Sequence, residues 1–291
     1  MTFGKMKLAA VTIAVTLIVA SSSAETASNR ITVSVRGHGP DVVLIPGLAS
    51  SAAVWDNIAV HLEKNHRLHI VQVNGFAGVR AGANAQGKII QPTVDAIDAY
   101  IKSNNLKAPC IIGHSLGGLM GLMLATEHPD DVGKLMTVDS LPFFSILLGA
   151  TNVTDAEPQA TMMRDHFLKE SQEEYGDDER SYFPSLVKSP EGLNLAAEAA
   201  AKSDKSVVAR AMYEAMTTDW RPKLGGIKTP VTILYAWDAS EKIPQIFSDG
   251  VIRENFAALP NKTFARIDNS LHYIMYDQPA AFATQVDAFL K

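Results

Sequence analysis

The hexapeptide Gly113-His114-Ser115-Leu116-Gly117-Gly118 holds the residue types best arranged for covalent chemistry. It follows a short apolar run, Pro109 to Ile112, and precedes a helix-like run, Leu119 to Glu127. A serine between a strand and a helix sits on a very tight turn. Glycines two residues before and two after it let the backbone fold there without a Cβ clash. Such a turn lifts the hydroxyl off the sheet edge and aims a helix N-terminus at it, where backbone N–H groups can hold a developing oxyanion. A serine hydroxyl is a poor nucleophile at neutral pH. Attack on a carbonyl therefore needs a base within hydrogen-bond reach and an acid to orient that base.

The flanking pattern supplies elements to position these groups. Ile31 to Arg36 alternates branched and polar residues, as a strand does. Val42 to Ile45, Leu68 to Val73, Ala108 to Ile112, Lys134 to Val138, Val231 to Tyr235 and Phe264 to Ile267 read as further strands. Several of them are continuous apolar runs of the kind buried on both faces. Ala53 to Leu62, Thr93 to Ile101, Leu119 to Glu127 and Ala280 to Leu290 read as helices. Strand–helix alternation with short apolar strands predicts an α/β fold with a doubly wound, mostly parallel sheet. From Leu141 to Gly226 no good strand occurs. Helix-like stretches run from Ala160 to Glu174, Leu193 to Lys202 and Val207 to Met216, with turn signals at Tyr175-Gly176-Asp177 and Ser189-Pro190. This segment reads as a helical cap, residues 141–226, inserted into a core formed by residues 25–140 and 227–291. Open α/β sheets place their sites beyond the C-terminal strand ends. Asp238 and His272 fall there, each just past a predicted strand.

Composition excludes other classes. The chain has 291 residues, 47% hydrophobic, enough for a large buried core, and a formal net charge of −5 that gives no electrostatic case for nucleic acid. Cys110 is the one cysteine, so no internal disulfide can form, and its place before the elbow suits a small buried residue. Residues 1–24 read as a secretory signal peptide: Lys5 and Lys7, an uncharged stretch from Leu8 to Ala20, and small residues Ser21 to Ala24. Cleavage is expected after Ala24, giving a secreted or periplasmic protein without a stable membrane span. His61, His66 and His69 cluster with Glu63, but their spacing does not match H-E-x-x-H, and no metal site is expected. His38, His128 and His166 read as surface or turn residues, and His114 as lining a pocket.

The chain resembles the α/β-hydrolase superfamily over about residues 31–291. The resemblance rests on Val43-Leu44-Ile45-Pro46-Gly47-Leu48, the elbow, Asp238, and His272 with the Gln278-Pro279 helix start beyond it. It looks most like esterase and lipase-like members with a helical cap. The resemblance implies a triad in the order Ser115, Asp238, His272, with Asp139 at the end of the preceding strand as the competing acid. It implies an oxyanion hole from the backbone N–H groups of Leu48 and Leu116, and neither cofactor nor metal. The expected reaction is hydrolysis of a carboxylic ester of a small molecule through an acyl-enzyme, with lactones and thioesters in the same chemistry. The same triad could serve amide hydrolysis, acyl transfer or cofactor-free perhydrolysis. An amine-binding variant would draw on cap acids such as Glu157, Glu170, Glu173 and Glu174. A non-catalytic ligand-binding module is the other alternative. Phe143, Phe144, Met162, Met163, Met212 and Met216 could line an acyl pocket or simply pack cap against sheet, and the same holds for Trp55 and Trp237.

Overall fold

A computed structural model describes residues 29–291. The expected signal peptide, residues 1–24, lies outside the described residues. Among the described residues, no helix is long and apolar enough to cross a membrane.

Seven strands form one sheet: β1 (Ile31–Gly37), β2 (Asp41–Ile45), β3 (Arg67–Val73), β4 (Cys110–His114), β5 (Lys134–Val138), β6 (Val231–Trp237) and β7 (Lys262–Asp268). Their spatial order is β1-β3-β2-β4-β5-β6-β7. β1 is antiparallel to β3, and every other pairing is parallel. β2, β4 and β5 are buried at every position but the first, which explains their unbroken apolar runs. β1 alternates because it is an edge strand with one wet face.

The core helices are α1 (Asp56–Leu62), α2 (Ile90–Ser103), α3 (Leu116–Glu127), α8 (Gln245–Asn255), a single turn α9 (Ile274–Asp277), and α10 (Pro279–Leu290). α3 is apolar nearly all round and buried from Leu116 to Ala125. It lies under the sheet centre and offers its N-terminus to the end of β4. α8 has no counterpart in the sequence reading: Gln245–Asn255 is mixed in polarity, and Ile246 and Phe247 face solvent.

Between β5 and β6 run four helices: α4 (Val153–Lys169), α5 (Gln172–Tyr182), α6 (Pro190–Ala201) and α7 (Lys205–Thr217). α4 packs on α7 and α5 on α6. The expected helix from Ala160 to Glu174 is in fact two helices. Ser171 accepts from the Glu174 N–H while the Glu174 carboxylate accepts from the Ser171 N–H, a reciprocal cap that starts a new helix. The expected turn at Tyr175-Gly176-Asp177 lies inside α5. Gly176 is there for close approach: a Cβ would stand 3.3 Å from the Ala201 carbonyl of α6. Ser189 caps α6 with Pro190 in its first turn, and Asp204 caps α7.

Candidate active site

The parallel strands all end at one rim, and four of the junctions there carry polar or glycine-containing sequences. β4 runs into Ser115, β5 into Asp139, β6 into Asp238, and β2 into Pro46-Gly47-Leu48. Ser115 has φ 52° and ψ −121°, a conformation that side-chain-bearing residues rarely hold and that costs about 1–3 kcal/mol. Its neighbours impose it: the Ser115 N–H bonds to the Val138 carbonyl at 2.9 Å, and the Ser115 carbonyl accepts from Gly118 N–H at 2.8 Å. The side chain stays partly open to solvent.

The carboxylate that meets His272 is Asp139. Its Oδ2 lies 2.6 Å from His272 Nδ1. Its Oδ1 accepts from the Ala236 N–H at 2.9 Å, and its own N–H bonds to the Leu234 carbonyl. Asp139 has φ 45°, which turns the side chain across the end of β6. This corrects the assignment of Asp238. β5 is the strand beside β4, whereas Asp238 ends a strand one place further out. Asp238 instead pairs with Lys188 of the cap and accepts from the Ser240 N–H at 2.8 Å. The Lys188 ammonium, followed by the Ser240 bonds, holds the Asp238 carboxyl down at about 2.

Asp139 Oδ2 on Nδ1 is the arrangement in which an imidazole donates from that nitrogen and leaves Nε2 turned toward other partners. The ring is braced from behind by His114, which is fully buried. His114 Nε2–H donates to the His272 carbonyl at 3.1 Å, and the two ring centroids are 4.6 Å apart. Burial, and then the nearby His272, push the His114 imidazole well below its ordinary range, so it stays neutral. Its Nδ1 is buried without a partner. Tyr273 packs against both rings, and its hydroxyl shares a 3.2 Å hydrogen bond with Ser50.

Leu116 is the first residue of α3, so its N–H has no acceptor within the helix. The loop after β2 is pressed against the elbow. A Cβ on Gly47 would stand 3.0 Å from His114 Nδ1 and 3.1 Å from Ser115 Cβ. Its turn bond runs from Ser50 N–H to the Gly47 carbonyl, and Leu48 is half-buried beside it.

Asp277 was not singled out from sequence. Its Oδ1 accepts from the N–H groups of Lys188 and Ser189, and its Oδ2 from that of Leu271, each at 2.9 Å. One carboxylate thus ties the cap to the His272 loop. The sequence carries a faint signal for it, an acid five residues after the histidine at the end of a helical turn.

Several anticipated pocket residues lie elsewhere. Trp55 is buried in the core on Phe282, and Phe143 packs with Ala150 and Ala156. Met216 is buried and Met162 is exposed, while Phe144, Met163 and Met212 are half-buried. The Trp237 indole N–H donates to the Ile243 carbonyl. Of the cap acids, Glu174 caps α5, Glu157 meets the Tyr213 hydroxyl, Glu170 pairs with His166 and Glu173 is exposed.

A doubly wound sheet with a serine elbow, a histidine after the last strand and a carboxylate on that histidine defines a hydrolase-type scaffold. The chain belongs to the α/β hydrolase fold family, whose sequence profile matches residues 40–279. It is 36% identical over 110 residues to a pimeloyl-[acyl-carrier protein] methyl ester esterase of Vibrio vulnificus, covering 38% of this chain and 40% of that protein. The chain thus matches about two fifths of the length of that relative. A protein of the same name from Aliivibrio salmonicida is 25% identical over 269 residues, covering 88% of this chain and 94% of the other. Among solved structures, a thermophilic esterase from Thermogutta terrifontis superposes with a TM-score of 0.73 at 17% identity, over 89% of this chain and 92% of its own. That likeness concerns the fold.

Proposed function

We propose that the chain is an exported serine hydrolase that cleaves carboxylic esters through an acyl-enzyme on Ser115, His272 and Asp139. The observation that carries this reading is the 2.6 Å bond from Asp139 Oδ2 to His272 Nδ1, at the rim where Ser115 is held strained on its turn. Ser115 Oγ attacks the ester carbonyl and His272 Nε2 takes its proton. The N–H groups of Leu48 and Leu116 hold the oxyanion. The C–O bond to the alcohol breaks, and His272 returns the proton to the departing oxygen. Water, deprotonated by His272, then attacks the acyl-enzyme, and Ser115 regains its proton as the acid leaves. Asp139 holds the tautomer and supports the imidazolium throughout.

The relatives named as methyl ester esterases support an ester with a small leaving alcohol as the substrate class. The division into a core (25–140 and 227–291) and a cap (141–226) belongs to the same reading. The N-terminal sequence supports export. N-terminal sequencing of protein recovered outside the cytoplasm should begin at Glu25; an intact Met1 would remove export from the proposal.

Two measurements test the chemistry. A fluorophosphonate probe should label the wild-type protein and fail to label Ser115→Ala. Hydrolysis of p-nitrophenyl butyrate should fall by about 10³-fold or more in that variant. Labelling that survives the substitution would place the nucleophile elsewhere.

A further inference from the structure

The turn that follows β2 carries an alanine where glycine is the usual choice. Gly47 to Ser50 closes through the bond from Ser50 N–H to the Gly47 carbonyl, and Ala49 in its third position has φ 55°. A side-chain-bearing residue holds that left-handed conformation where its surroundings impose it. Ser50, next in line, shares a bond with the Tyr273 hydroxyl, and its carbonyl accepts from the Gln72 side chain at 3.4 Å. The Ala49 carbonyl belongs to a residue 4% exposed. Among the described residues, the group that reaches it is the hydroxyl of Ser203, at 3.2 Å.

Ser203 comes from the cap, in the connection between α6 and α7, and is fully buried. Its hydroxyl hydrogen is shared between the Ala49 carbonyl and the Ala199 carbonyl, the latter at 3.0 Å. Its oxygen accepts from the Ala77 N–H at 2.8 Å. Ala77, in the loop after β3, also has a left-handed φ, 52°. One hydroxyl thus grips two strained alanines on two core loops. Ser203 is itself fixed. Its N–H donates to the Ala200 carbonyl at 2.9 Å, its carbonyl accepts from the Gln172 side chain at 2.9 Å, and the Asp204 N–H reaches the Gly75 carbonyl at 2.8 Å. The loop so held is the one pressed against the nucleophile, since a Cβ on Gly47 would stand 3.1 Å from Ser115 Cβ.

We propose that Ser203 is a positioning residue for ester hydrolysis: its hydroxyl holds the Ala49 carbonyl, keeps the turn in its strained form, and so aims the Leu48 N–H at the oxyanion. Leu48 and Ala49 are the two central residues of the turn. Relaxing Ala49 to a right-handed φ reorients the peptide that joins them and shifts Leu48 with it. Without the Ser203 hydroxyl, a strained alanine and a buried carbonyl lacking a partner both favour that relaxation. Oxyanion donors are effective when they are in place before charge develops, so a displaced Leu48 N–H costs rate more than it costs substrate binding. The cap thereby takes part in the chemical step through the core loop it grips.

This inference rests on the ester-hydrolase reading, and the outcomes separate the two. In Ser203→Ala, kcat for p-nitrophenyl butyrate should fall about tenfold, with KM within about twofold of wild type. A pair of ketones reads the oxyanion site directly. Ser115 Oγ adds to the carbonyl carbon of 1,1,1-trifluorooctan-2-one, its proton passes to His272, and the ketone oxygen becomes an oxyanion; octan-2-one binds as a plain carbonyl. The inhibition constant of the first should rise about tenfold in Ser203→Ala and that of the second should stay within about twofold. Ala49→Gly added to Ser203→Ala should recover about threefold in kcat, because glycine holds a left-handed φ without strain. If Ser203→Ala does not fold, Ser203→Cys, with a weaker donor in a similar volume, should show the same pattern at smaller size. An unchanged kcat, a loss carried by KM, equal weakening of both ketones, or no recovery from Ala49→Gly would overturn the proposal. Wild-type protein that neither cleaves the ester nor takes the fluorophosphonate label would remove the hydrolase reading and this inference with it. An active, labelled wild type beside an unaffected Ser203→Ala would remove this inference alone.

Discussion

Asp139 and Asp238 both follow a parallel strand, and their surroundings divide the work between them. Asp139 spends one oxygen on the Ala236 N–H and the other on His272. In Asp139→Asn the amide oxygen would stay on Ala236 N–H, and its NH₂ would face Nδ1. That forces the proton onto Nε2, the nitrogen that acts as base in the proposed mechanism. The kcat for a p-nitrophenyl ester should fall by about 10³–10⁴-fold with the fold retained. Asp238→Asn breaks a contact to Lys188 and leaves the imidazole untouched, so kcat should stay within about threefold of wild type. Rates of the two variants side by side check the assignment, and the reverse ranking would return the role to Asp238.

At the scale of elements, the His272 loop is held by what packs around it. His114 braces it from β4, Tyr273 binds Ser50 of the β2 loop, and Asp277 of α9 gathers three backbone N–H groups from loop and cap. Removing that carboxylate leaves those donors unmet. Asp277→Ala should destabilise the protein by about 2–3 kcal/mol, seen as a lower Tm. Amide exchange at Leu271 and Ser189 should rise more than exchange in β4 or β5. Uniform acceleration across the sheet would show that Asp277 acts on global stability alone.

Across the whole molecule, cap and core are joined by the Lys188–Asp238 pair as well as by Asp277. Asp238 titrates at 3.8 when unperturbed and at about 2 in the fold. A depressed acid contributes stability above its unfolded value and loses it as pH falls through its folded one. The Lys188 side chain is 42% exposed, so solvent screening limits the pair to about 1 kcal/mol. Lys188→Met should therefore lower Tm at pH 5 to 7, and the difference from wild type should shrink below pH 4 and close near pH 2. Thermal melts across that range check it. A difference that grows on acidification would contradict the pairing.

Strand and helix types, the elbow and the rim position of His272 were legible in the sequence because each is a local matter. Unbroken apolar runs mark β2, β4 and β5, and glycines flanking a serine mark a tight turn. The capping box that splits α4 from α5 was missed, because a single helix was expected from Ala160 to Glu174, and the glycine beside it suggested a turn in place of close helix packing. Choosing between two strand-end carboxylates was a different kind of problem. It depended on strand order, on a left-handed φ at Asp139, and on a lysine from the connection between α5 and α6 reaching Asp238 first. Local chain chemistry fixes the elements and the reactive groups. Which groups meet is decided by long-range packing, because residues far apart in number become neighbours only once the sheet and cap have closed.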